Sequence, residues 1–117
     1  MPLIEILGVP RIRRRFRRKF KTAIREAVAA IPEMKLTTSE VSVLIFREAG
    51  GYDGEIHVRF TFNEKDERTQ KVRETFAEEI AIVVDKWFPK TNLIEVWGNP
   101  FPKENGFHYI RKEKWEY

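Results

Sequence analysis

Residues 11–31, RIRRRFRRKFKTAIREAVAAI, and residues 72–88, VRETFAEEIAIVVDKWF, decide the fold. In the first stretch Ile12, Phe16, Phe20, Ile24, Ala27, Val28 and Ile31 recur at steps of three and four, which makes one apolar stripe along an amphipathic helix. The spacing predicts a helix from about Arg11 to Ile31. Pro10 stands at its start, where a missing N–H costs nothing, and Pro32 forces the stop. In the second stretch Val72, Phe76, Ile80, Val83, Val84 and Trp87 repeat the pattern between Asn63, a possible cap, and Pro89. They predict a helix from about Lys65 to Phe88. Phe16, Phe20, Ile24 and Val28 map onto Val72, Phe76, Ile80 and Val84 at a constant offset of 56, the mark of a duplicated unit.

Four segments rich in β-branched or aromatic residues flank these helices: Leu3 to Leu7, Val41 to Arg47, Ile56 to Phe62 and Leu93 to Trp97. The order is β-α-β, β-α-β. Each unit predicts two parallel strands joined by a helical crossover, and both helices should cover one face of a four-stranded mixed sheet. The class is α+β. One domain fills residues 1–117, with repeat one at about 2–48, repeat two at about 55–98 and a tail at 99–117. Ala49-Gly50-Gly51-Tyr52-Asp53-Gly54 reads as the flexible connection between units. In the tail, Asn105-Gly106 between extended segments predicts a hairpin or an added strand. The first two predicted strands are apolar at nearly every position, so their uncovered face should meet another subunit.

Composition narrows the chemistry. The chain of 117 residues contains no cysteine, which excludes disulfides and thiolate catalysis. His57 and His108 are the only histidines, so no zinc or iron ligand set emerges. The longest aliphatic run, Ile80 to Val84, is far below the roughly 20 residues needed to cross a bilayer. The apolar stretch Leu3 to Val9 precedes the basic block and contains Glu5, the wrong order for a secretory signal, and a cytoplasmic location is the expectation.

Charge is unevenly spread. Arg11, Arg13, Arg14, Arg15, Arg17, Arg18, Lys19, Lys21 and Arg25 fall within 15 residues that hold no acid; the remaining 13 bases face 18 acids, a net of −5. Such a block suits a nucleic-acid patch, a membrane-surface helix, an anion site or a solvated face. Arginines at the helix N-terminus also oppose the macrodipole, which favours acids there. An RNA-recognition fold shares the element order, but Glu55 and His57 stand where its base-stacking rings belong, and Leu3 to Leu7 contains no aromatic.

Pro2 after the initiator Met, the strand Leu3-Ile4-Glu5-Ile6 and the duplicated β-α-β plan together resemble the tautomerase superfamily. Its members include 4-oxalocrotonate tautomerase, 5-carboxymethyl-2-hydroxymuconate isomerase and macrophage migration inhibitory factor. Glu40-Val41-Ser42-Val43-Leu44-Ile45 followed by Gly50-Gly51-Tyr52 looks like the family's second strand and the turn after it. The stretch from Gly51 to Val58 and the ending Asn105-Gly106-Phe107-His108-Tyr109 look closer to a domain-of-unknown-function branch. The resemblance implies a homotrimer with sheets around a threefold axis and active sites at subunit boundaries. It also implies keto–enol 1,3-proton transfer on a small anionic α-keto or enol acid, with the N-terminal proline as general base and no cofactor, since a proton moved within one substrate needs neither metal nor redox partner.

That role requires removal of Met1, because an acylated proline nitrogen cannot accept a proton, and the expectation is that Met1 is clipped before so small a residue. A free α-amine titrates near about 7.7–8.0, and burial disfavours its charged form. The resemblance further implies cations that bind substrate carboxylate. Counting from Pro2, the first falls near Ile12, flanked by Arg11 and Arg13. The second falls on Ser42, a departure from the pattern, leaving Arg47 or Arg59 from a neighbouring subunit to supply it. Tyr52 stands beside the family's aromatic wall or hydroxyl donor, and His108 in the tail is a candidate to close a neighbour's pocket. Each of these residues also has a plain reading: solvated helix for Arg11 and Arg13, turn packing for Tyr52, a half-solvated strand for Arg59, tail packing for His108. The alternative function is a non-catalytic oligomer, with nucleic acid bound through residues 11–25 as one version.

Overall fold

The computed structural model describes residues 2–47, 53–63 and 68–101. Its elements run β1 (Leu3–Val9), α1 (Arg14–Ala29), short 3-10 turns at Pro32–Met34 and Thr38–Glu40, β2 (Ser42–Arg47), β3 (Glu55–Asn63), α2 (Gln70–Trp87) and β4 (Leu93–Phe101). The sheet order is β2-β1-β3-β4. β1 and β2 are parallel with Leu3 opposite Ser42, and β3 and β4 are parallel with Glu55 opposite Leu93. The two units meet through β1 and β3, which are antiparallel with Leu3 opposite Thr61. This is the expected α+β architecture of two β-α-β units in one mixed sheet.

The repeating stripes account for the packing. Phe20, Ile24 and Val28 of α1 and Phe76, Ile80 and Val84 of α2 are fully buried against Ile4, Ile6, Ile56, Val58, Phe60 and Phe62 from the two central strands. Each such side chain contributes about 1.5–3 kcal/mol by leaving water. The helices touch through aromatics: Phe16 and Phe20 meet Trp87 and Phe88 with centroids 5.0 to 6.1 Å apart. Among the described residues the opposite face of the sheet carries no helix. It displays Leu44 and Phe46 on β2 and Leu93 and Trp97 on β4, each more than two-fifths exposed, with Glu5, His57, Arg59 and Glu95 between them.

Several boundaries differ from the sequence reading. α1 begins at Arg14, and Pro10 to Arg13 are outside the helix; no side chain caps it and its first turn has no acid. Arg13 is extended at ψ 151°; its carbonyl accepts from the Arg17 N–H at 3.0 Å, but its side chain offers no acceptor to the N–H groups before that. α2 is capped by Thr69, whose hydroxyl accepts from the Val72 N–H at 3.3 Å, so Asn63 is a strand residue and not the cap. β4 runs to Phe101, beyond Trp97, and Pro100 is tolerated because β4 is an edge strand among the described residues. Gly8, at φ +86°, sits where the β1–β2 register shifts, and a Cβ there would come within 2.5 Å of the Glu55 carbonyl oxygen. Only glycine fits both demands. The expected hairpin or tail strand at 105–110 lies outside the described residues.

Candidate functional site

Pro2 precedes the central strand β1 and is buried. Its carbonyl accepts from the Ser42 N–H at 3.0 Å, which locks the start of β1 to the start of β2. Proline suits this position because its backbone has no N–H to leave unpaired.

Beside this point an open groove of about 600 Å³ runs between α1 and the outer edge of β2, lined in part by Thr22, Arg25, Thr38, Ser39 and Ser42. Arg25 is its cation. The Arg25 Nε donates to the Val41 carbonyl at 3.1 Å, holding the half-buried guanidinium against the strand edge. The sequence placed Arg25 within the basic block but not in a site. Its signal is the step of four from Arg17 through Lys21, which carries one flank of α1 to β2. Pro2 does not line this groove; Ser42 is the residue shared between them.

The expected cations lie elsewhere. β1 separates Pro2 from Arg11 and Arg13 by seven strand residues, roughly 20 Å at about 3.3 Å per residue. Both arginines are exposed, and Arg13 is the N-cap residue of α1. Arg47 ends β2 opposite Val9 and is exposed at the same end of the sheet as Arg11. One chain therefore gathers Arg11, Arg13 and Arg47 at the end remote from its own Pro2. Arg59 points from the middle of the open face and forks onto Glu5, with Nε–Oε1 and Nη2–Oε2 both 3.0 Å. The Glu5 carboxylate pushes the Arg59 guanidinium above its usual value by hydrogen bond and charge. His57 Nδ1 lies 3.5 Å from Glu95 in the neighbouring row. Tyr52 and His108, like Met1, fall outside the described residues. Among the described residues no group of three or more His, Asp or Glu is arranged to hold a metal. No described helix is long and apolar enough to cross a membrane.

No protein-family profile and no curated relative matches the sequence. Solved structures do. A wild-type fused 4-OT, an asymmetric trimer, shares 9% identity at a TM-score of 0.67, covering 87% of this chain and 88% of that one. A macrophage migration inhibitory factor-like protein from Entamoeba histolytica shares 10% at 0.65, covering 93% and 95%. A domain of unknown function (DUF1904) from Sebaldella termitidis shares 16% at 0.59, covering 92% and 95%. At such identities the likeness is one of backbone path, and it spans nearly the whole of each chain: this protein has the fold of the tautomerase superfamily.

Proposed function

We propose that the protein is an isomerase of the tautomerase kind, in which Pro2, freed by removal of Met1, is the general base for keto–enol transfer on a small α-keto or enol acid. The observation that carries this reading is a proline buried at the start of the central strand of a tautomerase fold. The imino nitrogen takes a proton from one end of the substrate's three-atom system and returns it to the other. Electrons move within the substrate, so neither metal nor redox partner is required. Shelter in a site keeps the nitrogen uncharged near neutral pH.

A cation must hold the substrate carboxylate and the developing enolate. Arg11 and Arg13 act in this reading from a neighbouring subunit, since the length of β1 separates them from the proline of their own chain. The exposed sheet face supports such an assembly: Leu44, Phe46, Leu93 and Trp97 give it apolar rims, and we assign it as the packing surface of a homotrimer. Tyr52, Arg47, Arg59 and His108 are the remaining candidates to complete a pocket at the boundary.

Intact-mass measurement on protein from its native host tests the first requirement; a chain that retains Met1 ends the proline-base reading. With Met1 absent, Pro2→Ala should slow ketonisation of a phenylenolpyruvate-type compound by roughly 10²- to 10⁴-fold. Equal rates for variant and parent reject it and leave a non-catalytic oligomer.

A further inference from the structure

The solvent face of α1, with the residues that lead into it, carries more charge than the proposed proton transfer uses. Arg11, Arg13, Arg14, Arg15, Arg17, Arg18 and Lys19 are all exposed, and Lys21 and Arg25 are half-buried. Among the described residues none of the nine forms an ion pair, although the rest of the chain has a net charge of −5. The described part of the acidic body therefore places no carboxylate in an ion pair with the basic segment. Arg17, Lys21 and Arg25 follow one another at steps of four, and Arg14, Arg18 and Arg25 run beside them at steps of four and seven, so the two rows form one strip. Their mutual repulsion is visible at Lys21, whose ammonium is pushed below the usual lysine value by burial and then by Arg25 and Arg17.

We propose that this strip binds the phosphodiester backbone of nucleic acid. Three observations select that partner. Arg14 to Arg25 spans about 16 Å of helix at 1.5 Å per residue. One strand of a duplex offers a phosphate about every 3.4 Å of axis, so the strip faces about five. Seven of the nine cations are arginines, whose planar fork matches phosphate oxygens in pairs, which an ammonium does not. An amphipathic helix that lies on a membrane needs a free apolar face, and that of α1 is spent: Phe20, Ile24 and Val28 are fully buried in the core. α1 lies on the side of the sheet away from the open face, and the proposal depends neither on the assembly proposed above nor on the isomerase reading.

The test is an anisotropy titration of the full chain with labelled single-stranded DNA, RNA of equal length, and duplex, at 50 and 200 mM salt. Release of about four counterions predicts roughly 250-fold weaker binding at the higher salt. The variant Arg14→Gln, Arg17→Gln, Arg18→Gln, Lys21→Gln should lose at least tenfold in affinity while keeping its circular dichroism, since Gln is a good helix former. Lys86→Gln with Lys90→Gln, at the far end of α2, should bind as the parent does. Absence of binding at 50 mM salt overturns the proposal, as does equal affinity in the quadruple variant. Polyglutamate or anionic phosphatidylserine vesicles bound as tightly as the polynucleotides would also overturn it, by making the partner an acidic protein or a membrane.

Discussion

The two helices are built on one packing plan and finished in opposite ways. α1 buries Phe20, Ile24 and Val28 where α2 buries Phe76, Ile80 and Val84, each at the offset of 56, so the inner faces are near copies. The outer faces and ends are not. α2 starts on a Thr69 cap and carries Lys86 in its last turn, in agreement with its dipole. α1 starts uncapped among arginines and has no base in its last turn. The difference teaches that burial is the main hold on α1, while the charge and missing cap at its start work against it. A helix can carry that local cost because most helical stability in a protein comes from the packed face.

The strongest way to break the comparison is to cut both inner faces. Phe20→Ala and Phe76→Ala should each cost about 3–5 kcal/mol in denaturant unfolding, by lost transfer energy and the cavity left behind. A near-equal pair supports the duplicated core, whereas a several-fold difference would show that one helix carries it. The end of each helix gives a smaller effect of opposite sign. Thr69→Ala should destabilise by about 1 kcal/mol, and Arg13→Ser, which installs the missing acceptor, should stabilise by about 0.5–1 kcal/mol, both read from chemical unfolding. A destabilising Arg13→Ser would mean that the start of α1 is already satisfied in another way. The smallest effect concerns Lys21. Lys21→Gln removes like-charge neighbours at steps of four and should gain about 0.2–0.5 kcal/mol at neutral pH. Its lowered folded-state value means that the penalty is fully present at neutral pH and is relieved as pH rises through that value. The advantage of the variant should therefore shrink in thermal melts at about pH 10.

Most of the architecture was legible because it rests on periodicity. Ile4, Ile6, Val58 and Phe60 alternate with polar or outward residues, and the two stripes leave little choice of face. Ends were less legible. Asn63 and Thr69 are both good caps, and the choice between them is made by which oxygen meets the Val72 N–H, a distance that spacing does not encode. Ile12 extends the α1 stripe backwards in sequence, yet it is only half-buried and lies outside the helix. The site was legible in Pro2 and not in its partners. The remoteness of Arg11 from Pro2 follows from strand length, but the seat of Arg25 on the Val41 carbonyl depends on how α1 crosses the edge of β2.

That seat has one more consequence. Among the described residues β2 borders the sheet, and a bordering strand offers its unpaired carbonyls as a template on which further strands can grow. By occupying the Val41 oxygen, Arg25 takes the first rung of that template and puts a fixed positive charge beside it. A segment pairing with β2 from its Val41 end would meet a guanidinium where its opening bond would form, so this side chain blunts that end of the strand.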